Sequence, residues 1–406
     1  MIAVEVEEDD EHSKFATSEE KRERERENKK KKKRVEGDGS ATSEEKSEKK
    51  ESRENQDRLS NLSDEVIYRI LSFVDAASAV QTCVLSKRWR HLWSSLPVLN
   101  LNDTSFDHPS LFQCFIDHLF STRDPSSNVC ELNLVCQDEL DDHDDPFIVD
   151  SIIDYVTLTP ISTTIQLLTI LAESVVVKLP QLSLCRSLTT LKLTDIATET
   201  ATFDFVSLKH LYLSDCRFEW LVGEVFDPFR GCANLTCLCL HGCQFYGGIE
   251  RFKICGPQLT DLSISHMRVD GVSDSDCVIE LSTPKLRFFT YFDTDLYDFS
   301  IEGKLPFMEK LSIDLGTFEL SHEFTRATEL PLRLIELFEI MCSAKCVSLS
   351  PGIIEVLSMF PDLLDGRSSP FTRLRIFEVN MDRSPPFVIP TDVMAYLFGG
   401  SPGFHC

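Results

Sequence analysis

The sequence predicts a mixed α/β chain: a short three-helix module followed by a solenoid with a parallel sheet, behind a disordered, charged N-terminal tail. Three observations carry this reading. A Leu-x-x-Leu-x-Leu unit recurs between Leu188 and Ile313, as expected of stacked coils that each bury one apolar edge. Between residues 59 and 101, short runs of apolar residues return at helical spacing. The 66 acids and 41 bases, net charge −25, are unevenly placed along the 406 residues.

The tail comes first. Residues 1–58 hold 19 acids and 16 bases with almost no apolar residue after Phe15. Such a segment cannot bury enough surface to offset its chain entropy, so it reads as disordered over 1–57. Within it, Lys29, Lys30, Lys31, Lys32, Lys33 and Arg34 form an unbroken basic run, a candidate nuclear-import signal or a solvated low-complexity stretch. The other 348 residues hold 47 acids and 25 bases. That excess argues against a nucleic-acid binder acting through global charge. It favours basic or lysine-rich protein targets.

The helical module spans 58–101. Ser63 is placed as an N-cap, with Asp64 and Glu65 in the first turn. Val66, Ile67, Ile70, Leu71 and Val74 then make one apolar stripe. Asp75 is placed to cap a second helix over 76–84, and Ser86 a third that carries Trp89, Leu92 and Trp93 up to Pro97. Forty residues make only a small core, so the module needs a neighbour or a partner. Lys87, Arg88 and Arg90 suggest a DNA reader, but the adjoining Trp and Leu residues favour protein docking.

The repeats occupy 129–380. Their central anchors, Leu191, Leu211, Leu238, Leu262, Phe289 and Leu311, lie 20, 27, 24, 27 and 22 residues apart. This matches the irregular period of leucine-rich repeats. Further strands are expected at 130–135, 165–171 and 374–379. Alternation along each strand turns the leucines inward. It leaves Thr190, Lys192, His210, Tyr212, Cys237, Cys239, Asp261, Ser263, Phe288, Thr290, Lys310 and Ser312 on an open face. Of these, Lys192, His210, Tyr212, Asp261, Ser263, Phe288 and Lys310 are the candidate target-facing residues. A stretch at 102–128 with Phe112, Phe115 and Ile116 is expected to link the module to the solenoid and cap it. Residues 381–406 read as a tail with an incomplete last repeat.

Asp57-Arg58-Leu59-Ser60-Asn61-Leu62-Ser63-Asp64-Glu65-Val66-Ile67, with Ile70-Leu71-Ser72-Phe73 and Ala79 through Trp93, resembles a plant-type F-box. Ser63 and Asp75 stand where that family usually has Pro. The resemblance implies a three-helix domain that docks the Skp adaptor of a cullin-type ubiquitin ligase. It draws the adaptor-facing residues from Leu62, Ile67, Ile70, Leu71, Val80, Leu85 and Trp89. It also implies that the repeats select a target protein, since plant F-box proteins often carry leucine-rich repeats.

Little else suggests chemistry. Cys232, Cys237, Cys239 and Cys243 cluster without the Cys-x-x-Cys pairing of a zinc site. The acidic run 138–145 lacks the glycine and terminal glutamate of a calcium loop. No nucleotide-binding or hydrolase motif is present, and no stretch reaches 18 uncharged apolar residues. Fifteen scattered cysteines fit a reducing compartment, nuclear or cytoplasmic. The expected function is the non-catalytic substrate receptor of a Skp–cullin–F-box ligase, with no catalytic residue, metal or cofactor and no membrane partner. A repeat scaffold without a ligase role and a nuclear nucleic-acid-associated factor are the alternatives.

Overall fold

Residues 59, 61–137, 147–198, 200, 202–219, 225–269, 277–316, 324–380 and 388–399 are described by the computed structural model. Met1–Ser63 and Asp64–Cys406 separate into two units, and every element below lies in the second. The charged tail with Lys29–Arg34, the acidic run 138–145 and residues 400–406 lie outside the described residues.

Helix α1 (Asp64–Leu71) carries Asp64 and Glu65 in its first turn, where carboxylates complement the helix dipole. Ile67 and Leu71, four residues apart, share its buried face. Helix α2 (Ala76–Gln81) starts at Asp75, whose carboxylate accepts the Ser78 amide at 2.8 Å and the Ser78 hydroxyl at 2.7 Å. A 3₁₀ turn, Thr82–Val84, follows. The third segment differs from expectation: it is a 3₁₀ helix, Trp89–Ser95, that starts after Arg88 with no side-chain cap. Trp93 Nε1 and Ser94 Oγ donate to the carbonyls three residues back, at 3.0 and 2.8 Å. Both bonds suit the tighter turn, and Trp89 and Leu92 still reach the core.

The sheet begins earlier than the leucine pattern suggests. Val98–Asn102 forms β1, so the end of the helical module is also the first strand of the solenoid. A 3₁₀ turn (Asp103–Ser105) and α3 (Pro109–Thr122) follow, with Phe112, Ile116 and Leu119 buried. The remaining strands are β2 (Glu131–Cys136), β3 (Leu167–Val176), β4 (Thr190–Thr198), β5 (His210–Ser214) and β6 (Cys237–His241). Then come β7 (Asp261–Ser265), β8 (Phe288–Asp293), β9 (Lys310–Leu315), β10 (Cys346–Leu349) and β11 (Ile376–Val379). These strands lie side by side in chain order, each parallel to the next. Period-two alternation fixes the register: Leu191, Leu211, Leu238, Leu262, Phe289, Leu311 and Val347 pair in one buried row. Burying each such side chain stabilises the array by about 1.5–3 kcal/mol, and a one-residue slip would turn the whole row to solvent.

The coils turn in a repeated way. Two residues past the last inward side chain, Asp195, Asp215, Gly242 and His266 all have φ between 49° and 61°. One residue further, the buried thiols of Cys216 and Cys243 donate to the carbonyls of Leu193 and Leu213 in the preceding coil, at 3.4 and 3.5 Å. Each buried thiol thus finds a backbone acceptor in the neighbouring coil.

Behind the central coils lies a second parallel sheet of Val225–Phe226, Arg251–Cys255, Val278–Ser282 and Asp298–Ile301. Helices α4 (Phe147–Leu158) and α5 (Leu179–Leu182) precede it in the chain. Helices α6 (Phe324–Ile340), α7 (Pro351–Ser358), α8 (Pro361–Leu364) and α9 (Thr391–Phe398) follow it. The coils are thus unequal behind a uniform front, which explains their uneven spacing.

The helical module is bonded to the sheet. Asn100 of β1 donates to the carbonyls of Ser72 and Val74 at 2.9 and 3.0 Å and accepts from Asn133 at 2.9 Å. Arg123, buried just past α3, donates to the carbonyl of Leu96. Burial lowers its guanidinium pKa from the ordinary value.

Candidate functional site

Two surfaces are built by these elements. In the helical module, Ile67, Leu71 and Trp89 are 0 %, 3 % and 5 % exposed. They close the module's own core and leave almost no surface for a partner. Leu62 and Val80 are half-buried, while Ile70 and Leu85 are 40 % and 59 % exposed. Val66, Phe73, Val74 and Val84 are also exposed, and the pattern of the helices alone did not single them out as surface. The sequence told which positions are apolar but not which side of so small a module faces inward. Arg88 bonds Asp64 through Nε at 2.9 Å. That pair ties the start of the third segment to the N-terminal end of α1. It also engages one of the three bases that suggested a DNA reader.

The second surface is the open face of the sheet. Strand register places its side chains in rows. The first row holds Glu131, Leu167, Thr190, His210, Cys237, Asp261, Phe288, Lys310, Cys346 and Ile376. The second holds Asn133, Thr169, Lys192, Tyr212, Cys239, Ser263, Thr290, Ser312, Ser348 and Glu378. His210, Asp261, Phe288 and Lys310 therefore share one row, and Lys192, Tyr212 and Ser263 the other. The members from β2, β3, β10 and β11 are not among the expected target-facing residues, because their strands carry weaker leucine signals.

Contacts tie neighbouring rows together. Lys192 Nζ lies 5.5 Å from the centre of the Tyr212 ring, a cation–π distance. Thr190 Oγ1 is 3.3 Å from His210 Nδ1, and Cys237 Sγ donates to the Tyr212 hydroxyl at 3.8 Å. Burial pushes up the thiols of Cys237 and Cys239, so both stay protonated at neutral pH. Cys232 donates instead to the carbonyl of Phe203 at 3.4 Å, and Cys243 to that of Leu213. The four cysteines do not converge on one point, and among the described residues no group of His, Cys, Asp and Glu is placed to hold a metal ion.

At the end of β8, burial raises the Asp293 carboxyl above its ordinary range, although its Oδ1 accepts the Thr294 amide at 2.7 Å and His266 opposes the rise. A raised folded pKa favours the protonated form, so this group's contribution to stability is lost as pH rises through that pKa. Asp293→Asn keeps the acceptor and removes the charge. We expect a small rise in melting temperature at pH 7 that vanishes near pH 3, below the ordinary carboxyl value of about 3.9; thermal melts at both pH values check it.

A small helical module joined to an open-faced parallel solenoid is the build expected of leucine-rich repeats behind an N-terminal helical domain, and residues 59–101 match the F-box domain family. The chain thus carries an F-box domain and is similar, over most of its length, to F-box proteins with leucine-rich repeats. It is 26 % identical over 317 residues to an F-box/FBD/LRR-repeat protein of Arabidopsis thaliana, covering 77 % of this chain and 66 % of that one. It is 29 % identical over 279 residues to F-box/LRR-repeat protein 13 of the same plant, covering 65 % of this chain and 58 % of the relative. The chain thus spans about three fifths to two thirds of the length of these relatives.

Proposed function

We propose that this chain is the substrate receptor of a Skp–cullin–F-box ubiquitin ligase. The helical module docks the Skp-type adaptor, and through it the cullin, while the open face of the solenoid holds a target protein. The chain makes and breaks no bond itself. It raises the effective concentration of target lysines near the conjugating enzyme. The observation that carries this reading is the apolar surface left on an otherwise closed F-box core, with Ile70, Val84 and Leu85 exposed. Solvent-exposed apolar side chains on so small a module are what a docking interface requires. The Lys29–Arg34 run is proposed to direct nuclear import.

Co-purification with the Skp adaptor tests the reading. Ile70→Asp combined with Leu85→Asp is expected to weaken capture at least a hundredfold with unchanged circular dichroism, because two desolvated anchors are lost. Undiminished capture by that double variant would remove the proposal. Leu71→Asp serves as the contrasting case: it buries a charge in the module's core and is expected to unfold it.

A further inference from the structure

We infer that the edge of the open face at the N-terminal ends of β8–β11 is a docking strip for an acidic, aromatic-bearing segment of a protein partner. This rests on reading the open face as the target-binding surface. One residue before each of these strands stand Arg287, Glu309, Lys345 and Arg375. Backbone bonds put them in line: the Glu309 amide donates to Arg287 at 2.7 Å, Lys345 to Glu309 at 3.2 Å and Arg375 to Lys345 at 2.8 Å. Lys285 and Arg373, both exposed, lie two residues further out on the first and last of these coils.

Charge is locally reversed there. Six bases, Lys285, Arg287, Lys310, Lys345, Arg373 and Arg375, face three acids, Asp261, Glu309 and Glu378, in a chain of net charge −25. Two of the acids are already occupied: Lys345 bonds Glu309 at 2.8 Å and Lys310 bonds Glu378 at 3.2 Å. Glu309 is held below the usual carboxylate range by that Lys345 bond, with Arg287 and Arg375 adding to it. Among the described residues, neither Arg287 nor Arg375 forms an ion pair of its own.

Apolar side chains interleave the bases. Phe288, Phe307 and Ile376 are 39 %, 57 % and 54 % exposed. The Arg287 guanidinium lies 5.3 Å from the Phe288 ring centre, which holds both groups in place. An acidic segment is drawn by the bases and anchored by the exposed rings. Four strands at about 4.8 Å spacing span roughly 14 Å, the reach of about four or five extended residues. A nucleic-acid strand fits less well, because Glu309 interrupts the line where successive phosphates would lie and Asp261 and Glu378 stand beside it.

The test uses the full chain and fluorescence anisotropy. The probe is a labelled twelve-residue peptide, Glu-Glu-Phe-Glu three times over. Its counterparts are the same peptide with Lys for Glu and a twelve-nucleotide oligothymidylate. The acidic peptide is expected to bind best. Arg287→Glu with Arg375→Glu is expected to weaken it about tenfold or more, and Phe288→Ser severalfold. Arg230→Glu, a charge reversal at an exposed turn residue off the open face, is expected to change it less than twofold. Equal binding by the double variant, or preference for the basic peptide or the oligonucleotide, overturns the inference. Adaptor capture is measured on the same samples. Its loss in the unaltered chain counts against the ligase reading and leaves the strip standing; its retention in the double variant confines any loss of peptide binding to the strip.

Discussion

Phe245→Ala is expected to destabilise the solenoid by about 3–5 kcal/mol, the range for truncating a fully buried aromatic side chain. Phe245 has no exposed surface. Its ring stacks on Phe218 of the preceding coil at 4.6 Å and 7° and meets Phe252 of the second sheet edge-on at 4.7 Å. It therefore fastens one coil to the next and the front sheet to the rear one. The cavity left by alanine would be walled by rigid rings on two sheets, which cannot both close on it. Coils in a solenoid are stabilised chiefly by their neighbours, so the unfolding transition should also broaden as the two flanks uncouple. Chemical denaturation followed by fluorescence and circular dichroism reads both effects. Phe288→Ala is the control: this ring lies on the open face, and its loss should change stability by about 0.5 kcal/mol or less. Equal effects of the two substitutions would contradict this account of where the core lies.

The same contrast between Phe245 and Phe288 marks what the sequence makes legible. Leu-x-x-Leu-x-Leu discloses the front strands because inward leucines recur at the strand period, and the open-face residues follow by alternation. His210, Asp261, Phe288 and Lys310 fall into one row on that basis alone. The rear is different. Arg251–Cys255 and Val278–Ser282 pair in parallel with each other, yet nothing in either segment names the other as its partner. Long-range pairing depends on coil length, which varies. Cys216 and Cys243 were legible in principle, since each stands three residues past an inward leucine. Counting cysteines for metal or disulfide chemistry draws attention away from that spacing. In the helical module, Ile67 and Ile70 both sit on an amphipathic stripe, and only packing decides that one is core and the other surface. The basic strip escapes notice for another reason. Arg287, Lys345 and Arg375 are far apart in sequence and come together only through register, inside a region whose overall charge is negative.

Asn100→Ala should loosen the helical module from the solenoid, at a cost of about 2 kcal/mol. The Asn100 amide group bonds the carbonyls of Ser72 and Val74 just past the end of α1, and its oxygen accepts from Asn133 on β2. Alanine leaves the partly buried Ser72 carbonyl and the more exposed Val74 carbonyl without this donor, while the Asn133 amide keeps its bond to Glu131 at 2.8 Å; each lost bond is worth about 1–3 kcal/mol when wholly shielded and less where water reaches it. Because Asn100 lies on a strand shared by both parts, the loss falls on the junction rather than on either core. Amides of α1 and α2 should exchange faster with solvent deuterium, while those of β5–β8 keep their protection. Asn100→Asp should be worse, since it turns a charged acceptor toward two carbonyl oxygens. Under the receptor role proposed above, the geometry between adaptor and target determines which target lysines are reached. On that proposal the variant should keep adaptor and target capture, while the assembled ligase modifies a broader set of target lysines. Unchanged exchange in α1 would show that Asn100 does not hold the junction.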